Sequence, residues 1–181
     1  MRRGFKAEAE RLSQKVRADL DLHPTDRLPL DRLAALLKAE IRSAADLIEI
    51  ERLEEIDILQ PGAFSACTFE IGERRVIVWN PLSTAGRITS DIAHELSHLL
   101  LKHAVKDVQT VGDLTFFGCD PDEEQEANWL AGCLLLPRTL LVAQVRRGAS
   151  AADLVEQYEV SSQMANYRLR ATGVMRQTRS G

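Results

Sequence analysis

The run His94-Glu95-Leu96-Ser97-His98 constrains this chain more than any other feature of it. It lies in a stretch where Ile88, Ile92, Leu96, Leu99 and Leu100 recur at helical spacing, so it is read as helix. Residues four apart on a helix project from one face, and two imidazoles so placed reach one metal ion. Glu95 lies about 100° round the axis, beside the ion and not on it, where it can take a proton from a water that the ion acidifies. Ile88, Ile92, Leu96 and Leu99 fall on the opposite arc, giving the helix a chemical edge and an apolar back. Two of the four histidines of the chain fall at this spacing around a glutamate, which favours a metal site over coincidence on a surface helix.

A catalytic zinc needs a third protein ligand and one open position. The longer pattern His-Glu-x-x-His-x-x-Gly-x-x-His fails, because Leu101 stands where glycine is required and the nearby histidine is His103. His103 reads as an end-of-helix residue, and His23 before Pro24 as a surface one. Cys67, Cys119 and Cys133 are unpaired in sequence, with no Cys-x-x-Cys. The residues alone therefore leave the third ligand to the carboxylates of the helix that begins at Asp120-Pro121.

The rest of the chain supports one α+β domain with a small appendage. It has 181 residues, 45% hydrophobic and 28% charged, which excludes disordered and fibrous classes. No apolar run approaches the roughly 20 residues of a membrane helix. Met1 to Lys6 lacks the apolar stretch of a signal peptide, and the odd cysteine count fits a reducing cytoplasm. Phe5, Ala9, Leu12, Val16 and Leu20 predict a helix over 5–20. Asp31 is expected to cap a second, and the acidic run 46–57 reads as the solvated face of a third. Phe64–Ile71 and Arg75–Trp79 predict two strands joined at Gly72-Glu73, and 104–119 reads as loop. Either strand could be an edge that pairs with a polypeptide substrate, and a purely structural hairpin is an equal reading for each. A helix is expected from the Asp120 cap and Pro121 to about Leu136, ended by Pro137.

His94-Glu95-Leu96-Ser97-His98 followed by Glu124-x-x-Ala127-Asn128-x-x-Ala131-x-x-Leu134-Leu135-x-Pro137 resembles the ImmA/IrrE family of metallo-endopeptidases. Arg3-Gly4-Phe5-Lys6-Ala7, the hairpin and Arg87 also match features of that family. One departure is Trp129-Leu130, where the aromatic is shifted by one position. The resemblance implies a zincin-like fold and a gluzincin-like zinc site. His94 and His98 would be ligands, Glu95 the general base, and Glu124, four residues before Asn128, the third ligand. It implies Zn2+ as cofactor, with another divalent ion such as Mn2+ an alternative. It also implies a helix-turn-helix repressor as substrate, cut to relieve repression of mobile-element or stress genes.

Helix geometry agrees with the choice of Glu124. Glu126 points about 200° away from it, on the side of Leu130 and Cys133. Asn128, Ala131 and Leu135 lie within about 40° of Glu124, a face of mostly small side chains that would let the two helices approach. Asn128 is expected to hydrogen-bond a histidine ring or the ligand carboxylate.

The net charge of −4 does not suggest a dedicated nucleic-acid binder, although from Arg146 onward six arginines face three carboxylates. There Ser150 and Ser161 or Ser162 are expected to cap two short helices. This gives a helix-turn-helix-like segment, 146–181, after a metallopeptidase domain, 1–145. A recognition helix would offer Gln163, Asn166, Arg168 and Arg170 to DNA. Two rival functions remain at this point: a zincin fold that sequesters a repressor, and a DNA-binding protein with a structural metal.

Overall fold

The computed structural model describes residues 1–62, 64–72, 74–103, 108–111, 114–117 and 120–177. Its elements follow in the order α1 (Phe5–Asp19), α2 (Leu30–Leu36), β1 (Ala39–Ser43), a short 3-10 turn (Ala44–Asp46), α3 (Ile50–Leu59), β2 (Ala66–Ile71), β3 (Arg74–Trp79) and α4 (Ala85–Leu101). Then come β4 (Val108–Val111), β5 (Leu114–Phe117), α5 (Pro121–Leu135), α6 (Arg138–Arg146), α7 (Ala151–Tyr158), α8 (Ser162–Thr172) and α9 (Val174–Gln177). No single described helix is long and apolar enough to cross a membrane.

The sheet orders its strands β1-β3-β2, with β1 parallel and β2 antiparallel to β3. Arg75–Trp79 thus lies in the central strand, and only β2 of the two expected strands is an edge. Gly72 takes φ +64° beside the pair Ile71–Arg74, a left-handed turn conformation that suits glycine. Alternation along β3 splits the interior in two. Ile77 is buried in the main core with Ile92 and Leu96 of α4, while Val76 and Val78 pack with Leu53 of α3 and Ala44. Glu51, Glu54 and Glu55 of α3 stay in solvent, while Asp57 is half-buried and accepts the Gly62 backbone N–H at 3.1 Å.

Two expectations are corrected, and one span that carried none forms a strand. Residues 39–43, which had no assignment, form β1. Residues 108–111 and 114–117, read as loop, pair as an antiparallel ladder from Val108–Phe117 to Val111–Leu114. Both are short runs rich in β-branched and aromatic residues, and Gly112 and Gly118, which suggested loop, lie outside the described residues. Asp31 sits in the first turn of α2, whose cap position is Pro29.

Helix α5 runs through the middle of the molecule, packed against α4 and α1. Its C-terminal carbonyls have no intrahelical partner and are out of reach of bulk water, so side chains must satisfy them. Ser13 Oγ donates to the Cys133 carbonyl at 2.6 Å, Arg17 Nη2 to Leu134 at 3.0 Å and Arg168 Nε to Leu136 at 3.0 Å. Arg168 is fully buried, and its Nη2 meets Glu10 Oε1 at 2.6 Å. It ties α8 to α1 and to the end of α5, so of the four side chains expected to face DNA this one faces the core. Gly132 makes room for it, since a Cβ there would lie 2.5 Å from Arg168 Cδ.

The tail packs on the α4 side as well. Ser150 caps α7 with a reciprocal box to Asp153, and Ser161 caps α8 through Met164 N. Ser161 Oγ also meets Ser90 Oγ of α4 at 3.2 Å. Between the two helices, Glu159 adopts φ +50°, the position where glycine is common. A Cβ on Gly86 would come within 2.5 Å of the Val160 carbonyl oxygen. Gly86→Ala should gain about 1 kcal/mol from helix propensity alone. We expect instead a net loss, because overpacking against main chain costs about 1–3 kcal/mol. Denaturant unfolding of Gly86→Ala checks this, and a net gain would show that the tail is not held at that contact.

Candidate metal centre

Helices α4 and α5 bring three donor side chains together. His94 Nε2 lies 3.0 Å from His98 Nε2, 3.3 Å separates His94 Nε2 from Glu124 Oε2, and 3.4 Å separates His98 Nε2 from Glu124 Oε1. All three side chains are partly buried. Ligands ~2.05 Å from a tetrahedral ion would stand ~3.3 Å apart, so these spacings suit a cation with two nitrogen ligands and one carboxylate. Two imidazole nitrogens and a carboxylate converging at this distance bring lone pairs together, and a shared cation relieves that repulsion. His94, His98 and Glu124 therefore fit a divalent ion of the zinc type.

The α5 backbone explains why Glu124 and not Glu126 takes part. Ala127 and Ala131 are fully buried small residues that keep α4 and α5 close. Glu126, 8% exposed, points elsewhere and accepts the Arg2 backbone N–H at 2.9 Å and Arg2 Nε at 3.3 Å. Asn128 differs from expectation. It is exposed, and its amide donates to the Glu124 main-chain carbonyl at 2.8 Å, one turn back along its own helix. Trp129 of the shifted aromatic position is buried, edge-on to Tyr167 at 5.9 Å and covered by Lys6 Nζ at 4.2 Å.

His103 was read as a helix-end residue, and the structure gives it more to do. Its Nδ1 lies 3.0 Å from His98 Nδ1. A metal held at His98 Nε2 would leave His98 Nδ1 as the ring N–H, placed to donate to His103. Burial first, and His98 beside it second, hold His103 below the ordinary imidazole range. In the wall of the cleft, Arg87 Nε reaches Asp91 Oδ2 at 2.9 Å. Burial raises the Asp91 carboxyl although Arg87 opposes the shift.

Glu95 is 8% exposed and lies outside the triad. Thr68 Oγ1, on edge strand β2, donates to Glu95 Oε2 at 2.7 Å. Sequence reasoning missed Thr68, because a threonine on a half-polar strand reads as solvent-facing when the strand is taken to have one covered face. Thr68→Val removes a donor from a buried carboxylate and should destabilise the fold by about 1–3 kcal/mol. Thr68→Ser should recover most of this. Chemical denaturation of both variants decides, and equal stability of valine and wild type would mean the bond contributes nothing.

A family model for the IrrE N-terminal-like domain (Peptidase_M78) matches residues 48–170. The chain belongs to that family. The matched span contains the HExxH helix, Glu124 and most of α8, and the family is one of peptidases. Among solved structures, a Mycobacterium tuberculosis transcriptional regulator is similar, with a TM-score of 0.54 at 15% identity, covering 93% of this chain and 47% of that one. That likeness is one of fold, and this chain spans about half the length of that regulator. No curated protein matches the chain significantly.

Proposed function

We propose that this IrrE-like chain is a zinc-dependent endopeptidase that cuts a protein substrate at the His94–His98–Glu124 centre. The observation that carries the reading is the triad of donor atoms 3.0–3.4 Å apart with a buried glutamate next to it but outside it. Bound zinc would polarise the scissile carbonyl and acidify the attacking water. Glu95 takes the proton of that water as its oxygen attacks the carbonyl carbon, then delivers it to the amine nitrogen as the C–N bond breaks. Thr68 orients the carboxylate for both transfers. The outer edge of β2 offers main-chain groups to an extended substrate, which brings the peptide bond past Glu95.

The finer assignments are part of the same proposal. Residues 1–145 form the peptidase domain and 146–181 a small helical subdomain that docks on it. The chain works in the cytoplasm on a helix-turn-helix repressor, as the resemblance to the ImmA/IrrE family implies. The test is incubation of the zinc-loaded protein with a helix-turn-helix protein encoded beside it. Two discrete fragments, lost with a chelator and regained with zinc, are expected, with casein left intact. An uncut repressor held in a stable complex would replace cleavage with sequestration, and broad digestion of casein would refute the narrow substrate class.

A further inference from the structure

Helix α8 carries two faces. Ala165, Arg168 and Leu169 are buried against the core. Gln163, Asn166, Tyr167 and Arg170 fall at the i, i+3, i+4 and i+7 positions of the opposite stripe. The cavity that contains His94 and Glu124, about 620 Å³, is also walled by Gln163, Met164 and Tyr167. A second, open concavity of about 650 Å³ is lined by the same Gln163 and Tyr167 together with Asn166 and Arg170. The concavity beside the triad and the one along the outer stripe of α8 thus adjoin at Gln163 and Tyr167.

We infer that this stripe is the far end of the peptide cleft, and that Arg170 selects an acidic side chain in the substrate. The inference rests on the peptidase reading and names the substrate class for that site. From Gln163 to Arg170 the helix rises about 10.5 Å, the length of about three residues of extended polypeptide. An acidic residue about three positions beyond the one that meets Gln163 would reach Arg170 while the scissile bond lies over the triad.

The chemistry along the stripe fits such an occupant. Gln163 has no hydrogen-bond partner among the described residues and presents an amide that can pair with a peptide group. Tyr167, 38% exposed and braced edge-on by Trp129, offers a fixed aromatic surface for one side chain. Arg170 is exposed and has no carboxylate partner among the described residues. The same stripe makes a poor reader of duplex DNA. Arg168 is buried, which leaves Arg170 as its single exposed cation, and duplex binding draws its affinity from many phosphate contacts.

The test uses the zinc-loaded Glu95→Gln protein, which lacks the general base, so binding is read without turnover. The probe is a fluorescent nonapeptide library in which each position in turn is fixed as Glu, Lys or Ala. Glu should be preferred at one position by about fivefold, the scale of one partly exposed ion pair. Arg170→Glu in the same background should turn that preference to Lys at the same position, and Tyr167→Ala should weaken binding by all members. Retention of the Glu preference by the Arg170→Glu protein overturns the inference. So does the absence of any positional preference, or binding of duplex DNA that Arg170→Glu abolishes. A wild-type protein that binds peptides with this preference yet cuts none would sink the peptidase reading and leave the cleft assignment intact.

Discussion

Glu95→Gln is expected to hold its metal, keep its fold and lose cleavage by about 10²–10⁴-fold, the range that a positioned general base contributes. Each part follows from a different contact. The metal stays because His94, His98 and Glu124 supply the converging donors and Glu95 is not among them. The fold stays because the amide oxygen of glutamine still accepts from Thr68 Oγ1, and because a neutral group replaces a buried carboxylate. Cleavage goes because the amide cannot take a proton from water at neutral pH. Metal analysis, thermal unfolding and fragment formation on one preparation separate the three. Undiminished cleavage by the metal-loaded variant would end the hydrolytic assignment of Glu95.

What could be read in the sequence was what depends on one helix at a time. Period-3.6 apolar spacing located α1 and α4, and the caps Asp120 and Ser150 marked the starts of α5 and α7, because these signals are local. The convergence of His94, His98 and Glu124 was legible for the same reason, since the two histidines share one helix face and Glu124 lies in the first turn of another helix. Strand β1 escaped because Ala39-Glu40-Ile41-Arg42-Ser43 is too short for its alternation to stand out and gains its pairing from β3, more than thirty positions away.

The residues that were misread are those whose role is set across elements. Arg168 looked like a solvent-facing arginine on a capped tail helix. Its burial depends on the absence of a Cβ at Gly132 and on Glu10 of α1, neither near it in sequence. A glycine in the middle of an otherwise strong helix was the one local hint, since it weakens α5 unless something packs against it. Thr68 and His103 were missed likewise. A threonine opposite Ile77 and a histidine two residues past the end of α4 gain meaning only from Glu95 and His98 beside them. Such pairings leave a metal site's ligands readable while hiding the groups that orient them.

Glu124 and Glu126 provide the sharper separation, since they lie on one helix two residues apart and do different things. Glu124→Ala takes away one of three donors and leaves two imidazoles. Its metal affinity should fall by more than the roughly 10–100-fold that loss of an orienting partner costs, and cleavage should vanish with the metal. Glu126→Ala removes the acceptor of the Arg2 main-chain N–H and of Arg2 Nε, so its cost should appear in stability, about 1–3 kcal/mol, with metal content and cleavage kept. A helix-dipole role shared by both glutamates would instead give two similar small losses of stability and no loss of metal. Zinc titration against a competing chelator, run beside denaturant unfolding on both variants, reads these outcomes independently. Metal loss in Glu126→Ala alone would move the ligand to Glu126 against the geometry. Unchanged zinc in both would remove the carboxylate from the centre and reduce it to a pair of histidines, which have too few protein ligands for a catalytic zinc.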